Sequence, residues 1–169
     1  MVYFENFTVD KMKKKKNKYL AIFYSALAIY VVLSVVFFVW YLQLPYASPT
    51  INLVKTLHHV LTGVFTAGAF FYLMLPYKRV KNYYKVSVNL AKGIKETTTA
   101  SFLRYDENLH EKDGVDFKAL VFSEYNKYKK DFYERKVLVF YDKEFPKFEK
   151  GQNVTFITQG NVLISYEIL

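Results

Sequence analysis

Two long apolar runs dominate the pattern of hydrophobic and polar positions. Residues 20–42 and 56–75 contain no Asp, Glu, Lys or Arg. As helices rising 1.5 Å per residue, both runs reach about 30 Å or more, the thickness of the hydrocarbon core of a bilayer. Trp40, Tyr41 and Tyr46 follow at the end of the first run, where amphipathic rings suit the membrane–water interface. The pattern predicts a transmembrane helical hairpin.

A cleaved signal peptide is the alternative interpretation of the first run. The run is longer than the roughly 7–15 apolar residues of a signal peptide. The segment Leu42–Tyr46, Leu-Gln-Leu-Pro-Tyr, also lacks the small residues that precede a cleavage site. A membrane span is therefore favoured.

The distribution of positive charge orients the hairpin. Lysines precede the first run, and lysines and an arginine follow the second, whereas the loop of residues 43–55 between them carries Lys55 alone. Because cytoplasmic flanks are enriched in Lys and Arg, both termini are predicted to lie in the cytoplasm, with a short loop on the opposite side of the membrane. The same lysines can attract anionic lipid headgroups. The residues that determine this topology are Lys13, Lys14, Lys15, Lys16, Lys78, Arg79 and Lys81.

Small residues recur at helical spacing in both runs. Such stripes let helices approach closely in a bilayer. They predict packing within the hairpin, with self-association or docking onto a larger membrane protein as the alternative. His58 and His59, near the outer end of the second run, are assigned to interfacial packing rather than to a ligand role. The stripe residues are Ala21, Ser25, Ala28, Thr62, Gly63, Thr66 and Ala67.

The basic segment of residues 78–93 fits two periods. Val86, Val88 and Leu90 alternate as in a strand, whereas Val80, Tyr84 and neighbouring positions follow helical spacing. We favour a juxtamembrane helix that continues the second span past Pro76 and is capped by Gly93.

From residue 94 onward the pattern changes to short β-strands. Five alternating or apolar segments occur in the C-terminal part, and Gly160-Asn161 between the last two is typical of a tight hairpin. Asp106–Gly114 is predicted as a polar turn, and the 3–4 spacing of Tyr125, Tyr128 and Phe132 as a short helix or loop cover. The fold class is thus membrane α+β: a two-helix hairpin followed by a small five-stranded β-barrel, OB-like or SH3-like. The predicted strands are 97–105, 115–122, 137–141, 154–158 and 162–168.

The last two strands carry a resemblance to a known family. Gly151 precedes one strand, Gly160 lies in the next turn, and alternating apolar residues run to Tyr166. This pattern resembles the end of the OB-like domain in NfeD-type bacterial membrane proteins, although the helical interruption is predicted after the second strand and an OB-fold has it after the third. The resemblance implies a protein of the bacterial cytoplasmic membrane whose barrel is a cytoplasmic interaction module without catalytic residues.

Catalytic patterns are scarce in the sequence. It contains no Cys, no phosphate-binding glycine loop and a single histidine after residue 77, His110. Glu107 and His110 are three residues apart, a spacing at which two side chains on a helix can bind one metal ion. A dinuclear carboxylate site needs that pair twice, and the sequence has it once. We therefore predict no enzymatic activity, no metal and no cofactor.

The strongest functional pattern interleaves aromatic and basic residues in residues 125–136. Aromatic faces beside cations suit a protein partner or an anionic membrane surface, and they can also stack bases. Acids at Asp131 and Glu134 dilute the charge, and RNA-binding signatures are absent, so nucleic acid is not favoured as a partner. A structural cap over the barrel is the alternative. The patch residues are Tyr125, Lys127, Tyr128, Lys129, Lys130, Phe132, Tyr133, Arg135 and Lys136.

Two functions follow from this organisation. The first is a membrane adaptor whose barrel recruits or modulates a partner at the inner leaflet, either another membrane protein or a second copy. The alternative is a sensor whose barrel binds a small anion such as a nucleotide. The predicted segments are a basic N-terminal segment (1–18), the hairpin (19–77), the juxtamembrane helix (78–93) and the barrel (94–169).

Overall fold

A computed structural model describes residues 2–4, 7–46, 48–126, 128 and 130–169. The chain divides into two compact units. One consists of Lys14–Lys81, and the other joins Met1–Lys13 to Asn82–Leu169. The second unit is therefore built from both ends of the chain.

Two long helices make up most of the first unit. Helix α1 spans Phe7–Gln43 and helix α2 spans Thr50–Tyr72. Both helical stretches are long and apolar enough to cross a membrane, judged by length and composition. The two predicted runs thus correspond to two helices.

An aromatic seam joins the two helices. The half-buried positions of α1 recur every three or four residues, which is the spacing of knobs-into-holes packing. At the centre, the Tyr30 and Phe65 rings stack 4.3 Å apart, and the Tyr30 hydroxyl lies 3.2 Å from the Thr62 hydroxyl. Where α2 ends, the Tyr72 hydroxyl donates to the carbonyl of Tyr19 on α1 at 2.9 Å. The half-buried α1 positions over this stretch are Phe23, Leu27, Tyr30, Ser34 and Phe37.

The small-residue stripes lie mostly outside this seam. Thr62 is half-buried, while the other six stripe residues are exposed. A β-carbon placed on Gly63 would meet no atom within 4 Å. Large rings, rather than small residues, therefore bring α1 and α2 together, because the stripes face away from the partner helix. The exposed members are Ala21, Ser25, Ala28, Gly63, Thr66 and Ala67.

Helix α2 passes into a third helix through a π-helical turn, Leu73–Tyr77. Pro76 has no N–H and clashes with the preceding turn, and the wider turn accommodates it. Helix α3 then spans Lys78–Lys92, so the helical alternative for this segment is the one the structure adopts. The Gly93 N–H donates to the Asn89 carbonyl at 2.7 Å, where the helix ends.

Five strands form a closed barrel in the order β1-β2-β3-β5-β4. Strand β1 is long enough to pair with β4 through its first half and with β2 through the rest, which closes the barrel. Strands β3 and β5 meet in parallel at Leu138 and Val162. The strands are Glu96–Lys112 (β1), Val115–Asn126 (β2), Asp131–Phe140 (β3), Asn153–Gln159 (β4) and Val162–Ile168 (β5).

Two sequence predictions within the barrel were wrong. Strand β1 continues to Lys112, so the predicted polar turn shrinks to Asp113-Gly114, both with positive φ (53° and 69°). Tyr125 and Phe132 lie on paired strands rather than on a helix, because their 3–4 spacing reflects the two arms of a hairpin. The Gly160-Asn161 turn is confirmed, with φ values of 52° and 67°.

Two apolar layers stabilise this unit. Inside the barrel, Phe102, Phe122 and Phe156 are fully buried among aliphatic side chains. Outside it, Val86 and Leu90 of α3 and Phe4 cover the outer face around Phe117. The Tyr3 and Phe4 N–H groups both donate to the Ile164 carbonyl at 2.8 Å, and Val2 forms a bridge with Ser165. The start of the chain is thus part of the barrel's outer layer.

Candidate interaction surface

The hairpin between β2 and β3 extends beyond the rest of the barrel. Pairing of β2 with β1 ends at Ser123, whereas β2 and β3 remain paired to Asn126 and Asp131. We name residues 124–133 the finger. Its turn includes Lys130 at φ 50°, and the Tyr128 N–H donates to the Asn126 side chain at 2.9 Å. Lys127 and Lys129, both in the predicted patch, lie outside the described residues.

The finger exposes all four aromatic residues of the predicted patch. Tyr128 at the tip is 97% exposed, and Phe132 is 67% exposed. Tyr125 and Phe132 are cross-strand partners with ring centroids 5.2 Å apart. Tyr133 is exposed too and alternates to the opposite face of the ribbon. Since exposed clusters of large apolar side chains commonly mark interaction sites, the finger is the candidate interface of this unit.

The described basic residues of the patch lie in different surroundings. Lys130 is exposed at the tip. Arg135, by contrast, has only 11% of its side chain exposed, and Lys136 bonds with the Asp106 carboxylate at 3.0 Å. The predicted patch therefore separates into an aromatic finger with Lys130 and a base in which the cations bond with acids of this unit.

Arg135 occupies one mouth of the barrel. Arg135 lies on the same inward-facing side of β3 as Val137 and Val139. Its guanidinium lies 5.8 Å from the Phe156 ring centre. Glu124 accepts a bond from it at 3.0 Å and Glu96 another at 3.1 Å. Burial acts to lower the pKa of Arg135, but these hydrogen bonds outweigh burial and raise it. Further partners of the guanidinium are the Thr98 and Thr158 hydroxyls and the Asn161 side chain.

This network affects the sensor alternative. Two carboxylates already hold the positive charge of Arg135, and an anionic ligand at this mouth would have to displace them. A nucleotide would instead depend on other cations, such as Lys130 at the tip.

Asp106 is a charged centre that the sequence did not indicate. Its carboxylate accepts bonds from Lys136 and lies 3.0 Å from His110 Nε2, while the Asn108 side chain donates at 2.7 Å. The Lys136 bond, followed by those of His110 and Asn108, lowers the pKa of Asp106. Glu107 and His110 lie on strand β1, not on the helix that their spacing would need to share a metal. No group of three potential metal ligands occurs in residues 2–4, 7–46, 48–126, 128 and 130–169.

A second ion pair joins β1 to the outer face of β3. Arg104 donates to both carboxylate oxygens of Glu134, at 2.7 and 2.8 Å. This pair lowers the pKa of Glu134 and raises that of Arg104. Both side chains are about half exposed, so the pair contributes little to stability despite its geometry.

The predicted topology determinants are placed on helices. Lys13, Lys14, Lys15 and Lys16 follow one another in the first turns of α1. Lys78, Arg79 and Lys81 begin α3. Comparison of the chain with models of protein families, with curated proteins and with solved structures finds no match.

Proposed function

We propose that this chain is a non-enzymatic integral membrane adaptor whose barrel docks a partner through the finger. The surface of the helices supports membrane embedding. Along α1 and α2, large apolar side chains project outward from the aromatic seam, and in water a continuous apolar surface of this kind drives association. A bilayer provides the solvent that this surface needs. Examples are Ile22, Ile29, Val32, Val36, Val60, Val64 and Phe71.

In this proposal both termini lie in the cytoplasm. Two observations support it. Lysines and arginines concentrate before the first apolar run and after the second, as the positive-inside rule requires. Tyr3 and Phe4 also bond with Ile164, so the two ends of the chain need the same side of the membrane.

Cysteine labelling tests this orientation. The chain contains no cysteine, so Tyr46→Cys in the loop between α1 and α2 and Tyr128→Cys at the finger tip each introduce a unique thiol. In intact cells, a charged maleimide should label Cys at position 46 at least tenfold faster than at position 128. After permeabilisation both positions should react. The reverse preference would contradict the orientation, and equal labelling of intact cells would contradict a two-span hairpin.

We also propose that the barrel is OB-like. The order β1-β2-β3-β5-β4, with β1 shared between both halves, is that of a five-stranded Greek-key barrel. The helix predicted after the second strand is replaced by the finger, so that difference from an OB-fold does not arise. Between β3 and β4, residues 141–152 contain no helix, and Phe148 enters the inner core there. We therefore keep the relation to NfeD-type proteins as a proposal, and the strand order supports it.

The exposed aromatic cluster of the finger carries the adaptor proposal. Four aromatic side chains on one projecting hairpin supply the large, rigid contacts that dominate binding energy at interfaces. The sequence of the finger contains Lys127, Lys129 and Lys130 against two acids, Asp131 and Glu124, and Glu124 bonds with Arg135. The expected partner is therefore a membrane protein that presents an apolar groove bordered by acidic residues near the inner leaflet.

Replacement of the two most exposed rings tests this role. Tagged full-length protein with Tyr128→Ser and Phe132→Ser is purified from its native membrane in mild detergent. Because aromatic anchors commonly contribute about 2 kcal/mol or more each, recovery of a partner that is stoichiometric with the unmodified chain should fall at least tenfold. Tyr141→Ser, which removes an exposed ring outside the finger, should leave recovery unchanged.

Three outcomes would overturn the proposed partner class. Unchanged recovery with the double variant would remove the finger from the interface. A homodimer of the unmodified chain that the double variant dissociates would identify a second copy as the occupant. Loss of binding to anionic vesicles, with no protein recovered, would identify the bilayer surface.

A further inference from the structure

A cavity of about 290 Å³ opens between the helices near the loop that joins them. It is comparable to the smallest ligand pockets of proteins, about 300 Å³. Phe37, Phe38 and Tyr41 of α1 and Val54 of α2 form its apolar part. The remaining lining residues are Lys55, His58 and His59. An apolar cleft with a few polar groups on one side suits an amphipathic ligand.

Lys55 gives this cavity its charge preference. It is the only Asp, Glu, Lys or Arg in residues 19–77. Its ammonium lies 5.4 Å from the Tyr41 ring centre, and it forms no ion pair with a carboxylate in the described part of the chain. The His58 ring packs 6.2 Å from the Phe37 ring, and Lys55 is the one lysine or arginine in the lining of the cleft. A negatively charged group is the complement of this site.

The position of the cavity selects among anionic ligands. Lys55 is in the second turn of α2, and Tyr41 is in the last turn of α1, close to Trp40. On the proposed hairpin this is the depth of the interface, where lipid phosphates meet acyl chains. A free phosphate would use Lys55 but leave the apolar lining without a contact.

We propose that this cavity binds an anionic phospholipid, with its phosphate at Lys55 and its acyl chain against Phe37, Phe38 and Val54. The inference rests on the membrane embedding proposed above. It gives the loop end of the hairpin a lipid specificity that is separate from the lysine-rich start of α1. Lys16 precedes Trp40 by 24 residues of helix, which is about 36 Å.

Trp40 is a built-in reporter for this site. It is the only tryptophan of the chain, and its ring lies 6.2 Å from the Phe37 ring of the cavity. Full-length protein is reconstituted into phosphatidylcholine vesicles that contain either brominated phosphatidylglycerol or the same mole fraction of brominated phosphatidylcholine. Bromine quenches tryptophan on contact, so the ratio of the two quenching constants measures enrichment of the anionic lipid around Trp40.

The brominated anionic lipid should quench Trp40 at least threefold more strongly than the zwitterionic one. Lys55→Gln should bring the ratio to about one, whereas Lys18→Gln, which removes a lysine from the far part of α1, should leave it unchanged. Millimolar inorganic phosphate, compared with chloride at equal ionic strength, should not reduce the ratio.

The remaining outcomes separate the two proposals. Equal quenching by both lipids, insensitive to Lys55→Gln, would overturn the lipid site while leaving membrane embedding intact. Absence of quenching by either lipid would overturn embedding and the site together. If inorganic phosphate, but not chloride, lowers the quenching ratio to about one, the cavity binds the free anion instead.

Discussion

Replacing Phe122 by Ala should destabilise the barrel by about 3–5 kcal/mol, the cost of removing a large aromatic side chain from a packed core. Phe122 is fully buried, and its ring lies 4.6 Å from that of Phe156, with Phe102 and Phe148 next to it. None of these rings can fill the space without leaving its own contacts. Hydrogen exchange of the β2 amides in the full-length protein should accelerate by roughly a hundredfold or more, since 1.4 kcal/mol is tenfold.

Phe132→Ala is the matched control for this change. The same side chain is removed ten positions later in the sequence, but from the exposed finger. Exchange of the β2 amides should stay within about twofold, because surface substitutions usually change stability by less than about 0.5 kcal/mol. Equal effects of the two substitutions would contradict the assignment of inner and outer faces to this hairpin.

Replacing Arg135 by Met should cost about 2–3 kcal/mol, less than the roughly 3–5 kcal/mol for breaking a fully buried ion pair, because Arg135 and Glu124 remain partly exposed. The substitution keeps much of the side-chain length but leaves the Glu124 carboxylate, 3.0 Å from the guanidinium, without its cation in a largely buried position. The Thr158 hydroxyl at the same mouth also loses its donor. Exchange of amides in β3 and β4 should rise by roughly thirtyfold to a hundredfold.

Arg104→Met provides the comparison for Arg135. Arg104 makes the more regular pair, with both oxygens of Glu134, but its side chain is 56% exposed. Because water screens that pair, its loss should change the exchange of the same amides much less than the loss of Arg135 does. Adding Glu124→Leu to Arg135→Met should recover part of the stability, since the unpaired carboxylate is then gone. A larger cost for Arg104→Met than for Arg135→Met would show that geometry outweighs burial here.

Much of the fold follows from local pattern. The two apolar runs appear as α1 and α2, and the number of strands and the Gly160-Asn161 turn appear as alternation and turn chemistry indicate. The length of β1 does not follow from pattern, because Asp106 to Lys112 reads as a polar loop by composition. In the structure Asp106 and His110 to Lys112 pair with β2 on either side of an irregularity, and that pairing keeps the segment extended.

The candidate site was predictable only in part. The aromatic residues of the finger are visible in the sequence, but their spacing is the same for a helix and for two arms of a hairpin. The ion-pair partners of the basic residues could not be predicted, because they lie on a strand distant in sequence: Arg135 bonds with Glu96 and Lys136 with Asp106. In the helices, small residues suggested the contact face, whereas the seven-residue spacing of Phe23, Tyr30 and Phe37 marks the actual seam.

The outer layer of the barrel has a consequence for the order of events during synthesis. Phe4 leaves the ribosome well before its partners Phe140 and Ile164 are made. Synthesis proceeds at about 5–20 residues per second, so roughly ten to thirty seconds separate the synthesis of the N-terminal segment from that of the surface it covers. Helices α1 and α2 emerge during that interval. In the proposed membrane orientation, the barrel can be completed only after the hairpin has returned the chain to the side on which Phe4 lies.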